Sequence, residues 1–134
     1  LKDSGLVYSI GVGSVEEINS LGIVEAIRFA IHRSLEKFDN YHYVLMDGLP
    51  FKERLMIQSP IDYVIKGDAK AYSIAAASII AKNYRDNLMK ELGLEFPYFE
   101  WDKNAGYGTK VHREAIKEYG STVHHRELFI RKLV

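Results

Sequence analysis

Cysteine is absent from the 134 residues, which excludes disulfide scaffolds, thiolate metal sites and cysteine nucleophiles. No apolar run approaches the ~18–20 residues that cross a bilayer, and charges interrupt every long apolar stretch. Net charge is absent as well, since 18 Lys and Arg balance 18 Asp and Glu. Leu1-Lys2-Asp3-Ser4-Gly5 shows neither an initiator methionine nor a signal-peptide pattern. The expectation is a cytoplasmic protein whose chain begins within its gene. Internal repeats, low-complexity tracts and interdomain linkers are missing too. What is present is ordinary globular composition, 47% hydrophobic and 27% charged. The length suits one domain spanning residues 1–134.

Neutrality overall conceals an uneven distribution. Residues 1–60 carry 6 basic and 8 acidic side chains, and residues 61–134 carry 12 and 10. The stretch 103–134 holds 7 basic against 3 acidic residues, with His112, His124 and His125 besides. A polyanion could dock on such a segment, although so modest an excess also describes a plain solvated surface.

Strand and helix patterns alternate along the chain. The β-rich run 6–12 and the apolar runs 43–46 and 61–65 read as strands, the last two closed by Asp47-Gly48 and Lys66-Gly67-Asp68. Ser14 with Glu17 fits a capping box opening a short helical turn. Apolar residues at three- and four-residue spacing predict an amphipathic helix over 21–38. A long alanine-rich helix is expected over 72–92 with Gly93 as its C-cap. Two shorter helices are expected at about 110–119 and 123–133. This alternation favours an α/β fold with a mixed or parallel sheet flanked by helices.

Two aspartates, Asp47 and Asp68, fall where predicted strands end. Ligands of open α/β sheets collect beyond the carboxyl ends of strands, and two carboxylates there could bind Mg²⁺, which prefers oxygen ligands and keeps several waters. Both positions also suit turn or cap residues. Ser78 and Lys82 lie four apart on one helix face and could present a hydroxyl and an ammonium to a phosphate, or simply pack and solvate. Tyr107, flanked by Gly106 and Gly108, could stack on a sugar or base, or fold onto the core. Thr109 is the expected N-cap of the next helix. Arg85-Asp86 reads as a structural ion pair. His124 and His125 point about 100° apart on a helix and suit capping or surface roles better than metal binding. Neither Gly106-Tyr107-Gly108-Thr109-Lys110 nor Gly11-Val12-Gly13 has the spacing of a phosphate or dinucleotide loop.

Taken in order, these segments resemble the ribonuclease HII family. Lys66-Gly67-Asp68, the run from Ser73 to Lys82 and Arg85-Asp86 are similar to its central signature, and Val44-Leu45-Met46-Asp47-Gly48 is similar to the strand carrying its third carboxylate. Gly106-Tyr107-Gly108-Thr109 with His112, then His125-Arg126 with Phe129, match its later motifs in order and spacing. The resemblance implies a ribonuclease H-like fold, a mixed five-stranded sheet with helices. It implies an endonuclease that cuts the RNA strand of RNA–DNA hybrids and ribonucleotides embedded in duplex DNA, with a part in DNA replication or repair. Asp47 and Asp68 would be catalytic metal ligands, the third and fourth carboxylates of a site for two Mg²⁺ or Mn²⁺ ions. Tyr107 would stack on the sugar at the RNA–DNA junction, and Ser78, Lys82 and Thr109 would lie on the substrate side. A monomer is expected.

The departures are equally concrete. The family's first two carboxylates form an Asp-Glu pair followed by Gly-Arg-Gly, and neither pattern occurs in this sequence. Leu1 corresponds to a point about one-quarter into a family member, so the N-terminal strand that bears the pair is expected to be missing. Gly22 stands where the family usually carries asparagine. Cleavage by the 134 residues alone is therefore expected to be weak or nil. Besides a nuclease, the sequence leaves open a degenerate hybrid-binding domain and an α/β protein-interaction domain.

Overall fold

The structure, a computed structural model, describes residues 5–132. They divide into two compact units, one formed by the chain up to Val12 with Arg28–Lys82, the other by Gly13–Ile27 with the chain from Asn83 onward. Two of the three boundaries, after Ile27 and after Lys82, fall inside helices.

In the first unit, β1 (Val44–Asp47) and β2 (Ile61–Val64) form a parallel pair in which Val44 faces Ile61 and Asp47 faces Val64. Parallel strands need a crossover, and residues 48–60 supply it without a helix. Leu55 and Ile57 anchor this crossover in the core, where Ile74 is also buried. Arg28 pins it by donating to the Glu53 carboxylate at 2.7 Å and to the Arg54 carbonyl. At the end of β1, Gly48 bends the chain at φ +101°, a conformation that glycine takes at little cost, while its amide still donates to the Val64 carbonyl of β2.

The predicted strand over 6–12 does not form. Its residues make no ladder, because Gly11 runs against the helix α2 (Ile23–Leu35) instead: a Cβ on Gly11 would lie 1.9 Å from the Ala30 carbonyl oxygen. The Val12 carbonyl accepts from the Arg33 guanidinium at 2.7 Å. High β-propensity without a neighbouring edge makes no strand.

The second unit opens with α1 (Val15–Leu21), whose capping box is formed as expected, Ser14 Oγ accepting from the Glu17 amide and Glu17 from that of Ser14. The single helix expected over 21–38 is instead entered at Ile23, because Gly22 breaks the chain at φ +89°, ψ 162°. Only glycine occupies that region readily. The long helix α3 (Tyr72–Glu95) runs past Gly93 rather than ending there. Gly93 serves packing: a Cβ on it would sit 2.8 Å from the Asp102 amide nitrogen.

A 3₁₀ turn, Pro97–Phe99, and the one-turn helix α4 (Trp101–Asn104) follow, neither foreseen from the sequence. Phe99 and Trp101 stack at 4.9 Å and form the core with Ala115 and Ile116 of α5 (Lys110–Tyr119). α5 has the predicted bounds, and Thr109 caps it by accepting from the His112 amide. The helix expected over 123–133 shrinks to α6 (Glu127–Ile130), residue 133 lying outside the described residues. A turn at 122–125 occupies its first residues, with the His125 amide donating to the Thr122 carbonyl. The Glu127 amide donates to Asn19 of α1. No helix among the described residues is long and apolar enough to cross a membrane.

Candidate functional site

The parallel register places Asp47 at the carboxyl end of β1 beside Val64, the last residue of β2. Beyond β2 the chain turns sharply at Lys66, whose φ of +53° is left-handed, and enters a 3₁₀ turn over Gly67–Ala69 that carries Asp68. The Gly67 amide donates to Asp47 Oδ1 at 2.8 Å. One backbone hydrogen bond thus ties the strand end bearing the first carboxylate to the turn bearing the second. Gly67 is buried under Ile74 of α3, and a Cβ there would meet Ile74 Cδ1 at 2.6 Å and Asp47 Oδ1 at 3.3 Å. Its carbonyl accepts from Lys70 and Ala71 and so launches α3. Both aspartates are exposed.

Carboxylate oxygens at neighbouring strand ends are the hard donors that Mg²⁺ and Mn²⁺ take. No group of three or more His, Cys, Asp or Glu able to hold a metal occurs among the described residues. What the structure brings together is the Asp47 carboxylate and the turn that carries Asp68, through the Gly67 amide. Farther along the same helix, Ser78 is half-buried and Lys82 exposed. The small residues from Ala75 to Ala77 keep that stretch of helix slender.

In the second unit the Gly106-Tyr107-Gly108 segment combines an exposed ring with a tightly held backbone. The Tyr107 side chain is 73% exposed, so the ring stands out from the core rather than folding onto it. Its amide donates to the Asn104 carbonyl, and its carbonyl accepts from the Thr109 amide at 2.8 Å and from His112 Nδ1 at 2.9 Å. Asn104 further accepts from the Gly106 amide and donates to the Phe99 carbonyl. Arg85 donates to the Ala105 carbonyl at 2.7 Å, and its guanidinium lies 6.0 Å from the Tyr107 ring centre. Arg85 therefore holds this segment instead of pairing with Asp86, as the sequence suggested. Consecutive helix residues do not face each other.

The Tyr107 loop rests on a polar core the sequence did not reveal. His112 and His125 are 5% and 6% exposed, with Nε2 atoms 3.2 Å apart. Their tautomers follow from their partners. His112 faces a carbonyl through Nδ1, so that nitrogen carries the proton, and Nε2 accepts from Trp101 Nε1 at 3.1 Å. His125 Nδ1 accepts from the Thr122 amide and hydroxyl, so its proton lies on Nε2 and is donated to His112 Nε2. Burial, then the proximity of His112, pushes the His125 pKa down to about 4. His125 is thus a core residue rather than a surface one, while its neighbour His124 is exposed. Burial, and next the Arg85 charge, lowers the pKa of Arg126, whose guanidinium also covers the Phe129 ring at 5.3 Å.

The chain is α/β, with a small parallel sheet of β1 and β2 among helices, an arrangement of the ribonuclease H-like class. It belongs to the ribonuclease HII family, whose model matches residues 6–132. The chain is 47% identical over 125 residues to ribonuclease HII of Macrococcus caseolyticus, covering 92% of this chain and 46% of that relative. It is 45% identical over 131 residues to that of Christiangramia forsetii, covering 96% and 65%. Against that of the Wolbachia of Brugia malayi it is 45% identical over 124 residues, covering 91% and 59%. The chain thus spans about half to two-thirds of the length of these curated relatives.

Proposed function

We propose that this chain is the part of an endonuclease for the RNA strand of RNA–DNA hybrids, and for ribonucleotides embedded in duplex DNA, that carries half of its metal-binding carboxylates. The observation that carries the proposal is the 2.8 Å hydrogen bond from the Gly67 amide to Asp47 Oδ1, which ties the strand end bearing Asp47 to the turn bearing Asp68. Asp47 and Asp68 hold divalent metal, Mg²⁺ or Mn²⁺, with two ions in the complete site. When bound, such ions make water nucleophilic and neutralise charge on the departing oxygen. The chain's own residues bind and orient. Lys82 supplies a cation and Ser78 a hydroxyl toward backbone phosphates. Tyr107 offers its face to the sugar at the junction, where ribose gives way to deoxyribose. Thr109 contributes chiefly by capping α5 and so fixing the end of the Tyr107 loop. With only two of four carboxylates, the 134 residues bind a hybrid in a metal-dependent way but cleave it weakly or not at all.

The test compares the chain with its Asp47→Asn/Asp68→Asn variant, using fluorescence anisotropy on an RNA–DNA hybrid and on all-DNA duplex with and without Mn²⁺. The expected outcome is a Mn²⁺-dependent gain in hybrid binding that the double variant loses by about tenfold or more. Equal gains in both proteins, or vigorous hybrid cleavage by the chain alone, would overturn the assignment.

A further inference from the structure

We infer that His112, backed by His125 and Trp101, is a positioning residue that locks the Tyr107 backbone so that the exposed ring is presented in one orientation. This inference rests on the substrate-facing role proposed above for Tyr107.

Three observations carry it. First, the ring and its backbone are in opposite states. The ring is 73% exposed, yet the Tyr107 amide and carbonyl and the flanking Gly106 amide and Ala105 carbonyl all have partners within the unit. The ring is thus free while these four backbone groups around it are held. Second, the loop is strained. Ala105 sits at φ +49°, a left-handed conformation that costs a non-glycine residue about 1 kcal/mol or more, so contacts must hold it there. Arg85 grips the carbonyl of that same residue.

Third, His112 is wired with direction. Its Nδ1 proton can reach only the Tyr107 carbonyl while Nε2 accepts from both Trp101 and His125. Two donors converging on Nε2 exclude the other tautomer, so the proton stays on Nδ1, where the loop needs it. His125 is locked in turn by the Thr122 amide and hydroxyl on its Nδ1. The chain of locks runs from Thr122 through His125 and His112 to the Tyr107 carbonyl. A platform fixed before the substrate arrives loses less freedom on binding.

Two substitutions at one site separate positioning from mere structure. In His112→Asn, the amide nitrogen can occupy the place of Nδ1 and keep the donor to Tyr107, while the acceptor for Trp101 and His125 is lost. In His112→Gln, the amide oxygen can occupy the place of Nε2 and keep that acceptor, while the donor to Tyr107 is lost. Two measurements follow on the full 134-residue chain, alongside Tyr107→Ala. One is amide hydrogen exchange at Gly106, Tyr107 and Thr109. The other is the binding preference for a duplex with one RNA–DNA junction over the same duplex in DNA.

Positioning predicts that His112→Gln speeds loop exchange and lowers junction preference by about tenfold, the loss expected for one buried hydrogen bond. His112→Asn should keep both within about threefold of the parent chain even if its melting temperature falls further. A purely structural histidine would make both properties follow melting temperature, and that result overturns the inference. So does unchanged loop exchange in His112→Gln. If Tyr107→Ala leaves junction preference intact, the substrate role of Tyr107 falls, while loop exchange in the two His112 variants still decides whether His112 holds the loop.

Discussion

Gly67 is the place where stability and the proposed metal site can be perturbed together and then separated. Adding one methyl group there, as Gly67→Ala, puts a carbon 2.6 Å from Ile74 Cδ1, 3.2 Å from Ile74 Cγ2 and 3.3 Å from Asp47 Oδ1. Carbon atoms rest about 3.5–4.0 Å apart, so the δ-methyl of Ile74 must retreat by about 1 Å. Ile74 is only 5% exposed and has little room to do so. Over-packing of this kind costs about 1–3 kcal/mol. Reduced freedom of the unfolded chain returns about 0.4–1 kcal/mol, leaving a net loss of about 1–2 kcal/mol. For a chain of this length that corresponds to a fall in melting temperature of about 3–8 °C.

The decisive experiment adds Ile74→Val, which deletes the clashing δ-methyl. Alone it should cost about 0.5–1.5 kcal/mol. Combined with Gly67→Ala it should cost no more than it does alone, giving a favourable coupling of about 1 kcal/mol or more in a double-mutant cycle. Metal binding should behave differently. The new methyl also crowds Asp47 Oδ1, and removing part of Ile74 does nothing for that contact. Mn²⁺ affinity, followed by calorimetry, should therefore drop in Gly67→Ala and stay low in the double variant although stability has recovered. If Gly67→Ala is as stable as the parent, or if Ile74→Val fails to rescue it, the packing account of this turn is wrong.

Gly93→Ala offers a second sign test. Helix propensity alone predicts a gain of about 1 kcal/mol, but the added Cβ would lie 2.8 Å from the Asp102 backbone nitrogen. Backbone cannot swing aside as a side-chain tip can, so thermal melting should show a net loss of about 1 kcal/mol or more; a stabilised variant would refute the packing role. A third prediction concerns pH. With the folded-state pKa of His125 held near 4 against 6.5 in the unfolded chain, both states are neutral above pH 6.5 and the group contributes nothing to the pH dependence there. Below that the unfolded chain takes up a proton that the fold resists, so stability falls between about pH 6.5 and 4 by up to about 3 kcal/mol. His112 and His124 are the titratable groups facing it. His125→Gln should flatten this limb in urea titrations across that range, and an unchanged slope would show that the burial of His125 does not set it.

The elements that the sequence disclosed are those specified by contiguous residues. β1 and β2 were legible because each is a short apolar run closed by a glycine turn, and the ends of α1 and α5 because Ser14 and Thr109 cap by local side-chain bonds. The failures share the opposite cause. The run 6–12 has strand composition, but a strand also requires an edge to pair with, and Gly11 instead lies against the Ala30 carbonyl. Gly93 looks like a helix terminator from its chemistry, yet its reason for being glycine is the approach of Asp102. Gly22 interrupts what reads as one helix because it occupies φ +89°, a conformation other residues enter only with strain.

The same distinction runs through the candidate site. Asp47, Asp68 and Tyr107 could be singled out because few residue types suit the roles proposed for them, ligating a hard cation and stacking on a sugar. What holds them could not. The Gly67 amide that binds Asp47 is backbone, and every residue but proline has one. The donors and acceptors around Tyr107 come from Arg85, Asn104 and His112, whose assembly depends on how α3, α4 and α5 pack. His112 and His125 are 13 residues apart, too far for any local pattern, and on composition each passes for a surface histidine. Two imidazoles with Nε2 atoms 3.2 Å apart become intelligible only once Trp101, Thr122 and the Tyr107 carbonyl fix which nitrogen of each donates. Residues that meet a ligand are constrained by the ligand's chemistry, whereas residues that aim them are constrained by the fold. For that reason the motif positions of His112 and His125 were visible in the sequence, while the hydrogen bonds they make were not.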